Sequence, residues 1–148
     1  MIKQKVFNFS FSGKDNTANF YINSTNQIVY DALFKTKNIN NIFLYGPKKS
    51  GKSYLGNIWA EKNEAIIFKK NFYNIINSKL NVFIDNIENY NNEEELFHIL
   101  NHCKLYNLKV LITSFQNIDE IHFSLIDLKS KLKIFNFFKI EKPDDDML

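Results

Sequence analysis

Short apolar runs alternate along this chain with longer stretches in which apolar residues recur every three or four positions. Lys5-Val6-Phe7-Asn8-Phe9-Ser10-Phe11 reads as an extended segment. Turn residues fill Ser12 to Asn19, and Phe20 to Ile22 are apolar again. Ser24 to Asn26 form a helix start, followed by Ile28, Val29, Ala32 and Leu33 at helical spacing. After a polar break at Asn38 to Asn41 comes the strand Ile42 to Tyr45, then a Gly-containing loop and a helix from Lys52 to about Lys62. Ala65 to Phe68 predict a second strand, Phe72 to Asn77 a short helix, and Leu80 to Ile84 a third strand ending in Asp85. Asn91 to Asn107 predict a helix with Glu93 to Glu95 in its first turn and Leu96, Ile99, Leu100 and Cys103 along one face. Lys109 to Thr113 is a fourth strand, Ile121 to Leu132 a helix, and Phe135 to Ile140 a fifth strand. Pro143 opens a last helical start, with Asp144 to Asp146 in its first turn.

This alternation predicts an α/β domain: a mostly parallel five-stranded sheet with helices on both faces. Ligands of such sheets sit at the carboxyl ends of the strands. The loop after Tyr45, Asp85, and Thr113-Ser114 all fall there. With 148 residues the chain is one domain by length, and 45% hydrophobic residues supply a core. No internal repeat or linker divides it.

Composition adds little chemistry. All 19 basic residues are Lys, and the 22 Asn beside abundant Ile and Phe point to AT-rich coding rather than a functional demand. The net charge of +3 permits contact with nucleic acid without arguing for it. A single Cys103 excludes an internal disulfide and fits a reducing compartment. No apolar run has transmembrane length and the N-terminus lacks a signal core, so a soluble cytoplasmic protein is expected.

The chemistry lies in Gly46-Pro47-Lys48-Lys49-Ser50-Gly51-Lys52-Ser53, which fits G-x-x-x-x-G-K-[ST] at every fixed position, between a strand and a helix. Such a loop turns successive N–H groups toward phosphate oxygens. Lys52 would reach the terminal phosphates and the Ser53 hydroxyl would sit on Mg²⁺. Val82-Phe83-Ile84-Asp85 has the form of the acidic strand that holds this metal; a buried strand with Asp85 capping the next turn is the alternative, and the intact phosphate loop favours the metal-holding reading. His98 and His102 stand four apart beside Cys103, but no further metal ligand is obvious and a helix face explains them. Lys129, Lys131 and Lys133 could touch DNA phosphates, although a spacing of two spreads them around a helix.

Several strings occur in the order seen in the DnaA-type AAA+ ATPases: Phe20-Tyr21-Ile22-Asn23-Ser24-Thr25-Asn26, Leu44-Tyr45-Gly46-Pro47, Ile84-Asp85-Asn86-Ile87-Glu88, Leu111-Ile112-Thr113-Ser114, Asp127 to Leu132, and Ile140 to Asp145. The chain resembles that family over nearly its whole length, and most closely the Hda-type regulators of DnaA. The resemblance implies a P-loop AAA+ base subdomain over residues 20–148 after an N-terminal segment 1–19. It implies ATP or ADP with Mg²⁺ as cofactors and DnaA as partner. It also implies Asp85 as the Mg²⁺-associated acid, Thr113 or Ser114 as the sensor of the terminal phosphate, Lys131 at the finger position, and Phe20 to Ile22 with Asn26 near the adenine. Gln4-Lys5-Val6-Phe7-Asn8-Phe9 resembles a sliding-clamp-binding peptide with Gln4, Phe7 and Phe9 as anchors; an edge strand of the domain is the alternative.

Departures from the family pattern point away from turnover. Asn86 stands where many nucleotidases carry a Glu that activates water, and an amide takes no proton at neutral pH. Lys131 replaces an Arg and lacks its planar fork. The family's helical lid is not expected within these residues. The sequence therefore predicts a nucleotide-binding regulator of chromosomal replication initiation with weak or absent ATP hydrolysis. A DnaA-like or helicase-loader-like ATPase acting on DNA is the second reading, and a nucleotide-free scaffold the third.

Overall fold

A computed structural model describes residues 5–8, 19–22, 26–35 and 39–141. Strands β1 (Lys5–Asn8) and β2 (Asn19–Ile22) pair antiparallel as a separate two-stranded ribbon, with Lys5 opposite Ile22 and Phe7 opposite Phe20. The chain then forms helix α1 (Gln27–Phe34), strand β3 (Asn41–Tyr45), helix α2 (Lys52–Lys62), the short strand β4 (Ile66–Ile67), helix α3 (Phe72–Ile76) and strand β5 (Val82–Ile84). A 3-10 turn at Ile87–Asn89 leads to helix α4 (Glu93–Leu105), strand β6 (Val110–Ser114), a 3-10 turn at Ile118–Glu120, helix α5 (Ile126–Lys133) and strand β7 (Asn136–Lys139).

The main sheet has five strands in the order β4-β5-β6-β3-β7, and every neighbouring pair is parallel. Pleating sorts its side chains between two cores, because successive residues of a strand face opposite sides. Ile42 and Leu44 of β3, Phe83 of β5 and Leu111 of β6 pack with Val29 and Leu33 of α1 and Leu55 and Trp59 of α2. Phe43, Val82, Ile84, Val110 and Ile112 take the other side, against Ile75 of α3, Leu96, Ile99 and Cys103 of α4, and Leu128 and Leu132 of α5. The central strands read as continuous apolar runs because both of their faces are covered. This is the α/β architecture that the alternation predicts.

Boundaries differ where local hydrogen bonding overrides periodicity. The apolar spacing predicts a helix from Ile121, but α5 begins at Ile126. Asn117 and Glu120 form a reciprocal capping box around the 3-10 turn, and the chain leaves it extended at Ile121. The Glu93 carboxylate then accepts the N–H groups of Ser124 at 3.1 Å and Leu125 at 2.7 Å, which fixes the entry to α5. Asn92 caps α4 by accepting the Glu95 N–H at 3.1 Å. Gln4, Phe9 and Pro143 to Asp146 lie outside the described residues. Among the described residues, no helix is long and apolar enough to cross a membrane.

Candidate functional site

Parallel β3, β5 and β6 end on the same edge of the sheet, and there the sequence places its polar features. Gly46 follows β3 and donates its N–H to the Ser114 carbonyl at 3.1 Å. A Cβ at Gly46 would fall 2.2 Å from the Ile140 carbonyl oxygen, so the start of the loop fits between the ends of β6 and β7 only as glycine. The loop closes through Gly51, whose φ of 95° is left-handed. Helix α2 begins there with no side chain capping it. Its first N–H groups therefore have no partner within the helix and carry the positive end of its dipole.

Lys52 is 5% exposed and folds back over the loop. Its ammonium donates to the Gly46 and Pro47 carbonyls, each at 2.7 Å, and lies 3.4 Å from Ser50 Oγ. Burial pushes its pKa down, against the nearby Glu88 and Asp85 carboxylates, which pull it up. A bound phosphate would compete with the Gly46 and Pro47 carbonyls for this ammonium. The Ser53 hydroxyl donates to Asp85 Oδ2 at 2.8 Å. This pair is all oxygen and hydroxyl-plus-carboxylate, which suits a hard divalent cation such as Mg²⁺ that takes its other ligands from water and phosphate.

Thr113 and Ser114 are fully buried and lie beneath Asp85 and Glu88. Thr113 donates its hydroxyl proton to Asp85 Oδ1 and accepts the Asn86 N–H at 2.8 Å. Ser114 Oγ accepts the Gln116 N–H at 2.9 Å, and its single proton faces both Glu88 Oε2 and the Gln116 carbonyl. Glu88 Oε2 also accepts the Phe115 N–H at 3.1 Å. Glu88 Oε1 is buried without a hydrogen-bond partner among the described residues. Both hydroxyls proposed by resemblance as sensors thus act on the acidic turn from within the protein.

Above them lies an open cavity of about 390 Å³, lined by Lys48, Lys49, Gly51, Lys52, Ser53 and Tyr54 on one side and Asn86, Asn89 and Phe115 on the other. Lys48 Nζ lies 5.2 Å from the centre of the Phe115 ring. Asn89 and Phe115 carry no signal in the sequence; the 3-10 turn and the end of β6 bring them here.

The remaining candidates lie elsewhere. Lys131 sits on α5 with its ammonium 5.5 Å from the centre of the Phe97 ring, and lines a separate cleft with Asn40, Asn41 and Val110 at the amino ends of the strands. The phosphate loop stands at the opposite, carboxyl ends of these strands. His102 Nε2 lies 2.7 Å from the Ser78 carbonyl, and His98 packs on the rings of Phe72 and Phe97. Burial pushes the Cys103 thiol up to about 12. Among the described residues no His, Cys, Asp and Glu side chains group as three or more metal ligands. Asn26 is buried before α1, where its carbonyl accepts the Tyr30 N–H at 3.1 Å.

Comparison with known proteins follows the same lines. The chromosomal replication initiator protein DnaA of Buchnera aphidicola subsp. Baizongia pistaciae is 27% identical over 184 aligned positions, which cover 97% of this chain and 40% of that protein. The chain thus spans well under half of that relative's length. AMPPCP-bound DnaA from Aquifex aeolicus superposes with a TM-score of 0.70 at 20% identity, covering 82% of this chain and 48% of the other. Domain III of DnaA from Thermotoga maritima gives 0.69 at 22% identity, covering 86% and 67%. No family model matches the chain.

Proposed function

We propose that this chain, a DnaA-type AAA+ domain by sequence and fold, binds ATP or ADP with Mg²⁺ at the edge formed by β3, β5 and β6. It would use the bound nucleotide to regulate replication initiation through DnaA, in the manner of the Hda-type regulators. One observation carries the binding claim. An uncapped helix start, a buried ammonium hydrogen-bonded to loop oxygens, and the Ser53 hydroxyl paired with Asp85 meet at one open cavity. Gly46, Pro47, Lys48, Lys49, Ser50 and Gly51 would cradle the phosphates. Lys52 would neutralise them, and Ser53 with Asp85 would hold the metal. When bound, Mg²⁺ supplies charge neutralisation of the phosphates.

Calorimetric titration of ADP and ATP, with and without Mg²⁺, tests the binding. Saturable binding that strengthens with Mg²⁺ and disappears in Lys52→Ala is the expected result; absence of heat with either nucleotide overturns the reading. The partner claim is tested by turnover of DnaA-bound ATP with and without this protein, acceleration being expected. Equal rates would remove DnaA as the target.

The Gln4–Phe9 segment would dock on a sliding clamp. Its Phe7 stands opposite Phe20 in the β1–β2 ladder, so docking either uses the ribbon or opens it. Clamp pull-downs comparing wild type with Gln4→Ala/Phe7→Ala should show loss of recovery in the variant; equal recovery removes this partner. A second reading, an ATPase acting on DNA as initiator or helicase loader, rests on the identity to DnaA itself. It requires salt-sensitive binding of single-stranded DNA.

A further inference from the structure

The wall of the cavity opposite the phosphate loop is made of amides. Asn86 follows Asp85 directly and adopts a left-handed backbone, φ 52° and ψ 65°, which Asn tolerates far better than most residues. Its backbone N–H is taken by Thr113 Oγ1 at 2.8 Å, which fixes the orientation of the turn. The 3-10 turn Ile87–Asn89 begins immediately afterwards, and in that geometry positions three apart stack on one side. Asn86 and Asn89 accordingly both line the cavity, while Ile87 between them is buried in the core. Neither side-chain amide makes a hydrogen bond among the described residues.

In a phosphate loop the metal bridges the second and third phosphates. Ser53 and Asp85 would hold that metal, and the third phosphate would then lie near the residue that follows Asp85. The hydroxyls of Thr113 and Ser114, the obvious candidates for reading it, are fully buried and committed to Asp85, Asn86, Glu88 and Gln116. The carboxamides of Asn86 and Asn89 carry donor N–H groups that make no hydrogen bond among the described residues, and both residues line the cavity.

We propose that Asn86, supported by Asn89, is the third-phosphate reader of this site, donating amide hydrogen bonds that distinguish a nucleoside triphosphate from a diphosphate. The inference rests on the nucleotide-binding reading above and deepens it. A carboxamide holds a phosphate oxygen without taking a proton from water. The same substitution that removes a base for hydrolysis therefore installs a donor for recognition. A site so built reports which nucleotide is bound and retains it.

The test compares Mg²⁺ with ATP, a non-hydrolysable ATP analogue and ADP, titrated into wild type, Asn86→Gly, Asn89→Ala and Lys52→Ala. Glycine keeps the left-handed turn while deleting the amide. Wild type should favour both triphosphates over ADP. Asn86→Gly should weaken the triphosphates roughly tenfold or more, the scale of a hydrogen bond to a charged group, and leave ADP within about twofold. Asn89→Ala should act in the same direction by a smaller factor. Thermal unfolding of Asn86→Gly without nucleotide checks that the turn survives. Equal weakening of ATP and ADP, or no change in either, overturns the proposal while leaving nucleotide binding intact, with Lys52→Ala as the reference for lost phosphate binding. If wild type binds neither nucleotide, the binding reading fails and this proposal falls with it.

Discussion

Thr113→Val separates a strut from a phosphate sensor. The substitution keeps volume and β-branching, so it opens no cavity and suits β6 as well as Thr does. It deletes one hydroxyl with two partners, the Asn86 N–H at 2.8 Å and Asp85 Oδ1. Each partner would lose its bond inside a wall that is fully buried on the Thr113 side. An unsatisfied buried polar group costs about 1–3 kcal/mol. Asp85 is only half-buried and regains water, so the lower part of that range applies. The expected loss is about 1–2 kcal/mol, which for a chain of 148 residues lowers Tm by roughly 3–8 °C. Urea unfolding at constant m-value measures it. With Asp85 untethered and the Asn86 turn released, Mg²⁺-dependent binding of both ATP and ADP should weaken, ATP the more. A sensor would behave differently, losing discrimination between the two nucleotides at no cost in stability. Unchanged urea midpoints combined with a selective loss of ATP would refute the strut assignment.

Intrinsic ATP turnover is expected near background, since Asn86 supplies no base; robust turnover abolished by Lys52→Ala would refute this. Gly56→Ala in α2 should destabilise by about 1–3 kcal/mol despite the better helix propensity of alanine. The added Cβ would lie 2.1 Å from Cζ of Phe83, beneath the helix, and urea midpoints decide the sign. Cys103 should resist iodoacetamide at pH 8 in the native protein and react on unfolding, because burial raises its thiol to about 12 from an ordinary 9.0. That group stabilises the fold below pH 9 and ceases to do so as pH rises toward 12; stoichiometric native labelling at pH 8 would contradict the burial.

The parallel sheet is legible because its central strands are apolar on both faces and its helices are not. Ile42-Phe43-Leu44 and Leu111-Ile112 can serve only as strands covered twice. The phosphate loop is legible because its glycines and Lys-Ser pair occupy fixed positions beside a strand and a helix. What resisted reading were features set by tertiary hydrogen bonds. Glu93 looks like any acid in a first turn, yet its carboxylate anchors the entry to α5 and moves that helix's start. Thr113 and Ser114 stand at the correct strand end, but their orientation depends on Asp85 and Glu88, residues more than twenty positions away. Asn89 enters the cavity through a single 3-10 turn, too short to leave a periodic trace.

The alkaline behaviour of Lys52 ties the stability of the fold to its chemistry. Burial lowers the ammonium's pKa from 10.5, with Glu88 and Asp85 opposing the shift. The folded protein therefore releases this proton before the unfolded chain does. Between the two pKa values the unfolded state binds more protons, so stability from this group rises with pH and levels off above 10.5. Tyr30 and Tyr90 act with the opposite sign. Burial, and then Asp31 and Asp85 respectively, raise their pKa values, so their contribution is lost at high pH. Total stability would mix these effects; the difference between wild type and Lys52→Met cancels the tyrosines. That difference should move in favour of wild type as pH rises toward 10.5, when urea midpoints are compared from neutral pH upward. Nucleotide affinity should run the other way over the same interval, because only the ammonium attracts phosphate. A charge kept in a buried loop is thus a cost to the empty protein that a bound anion removes, and a stability difference that falls with pH would show that Lys52 is not desolvated.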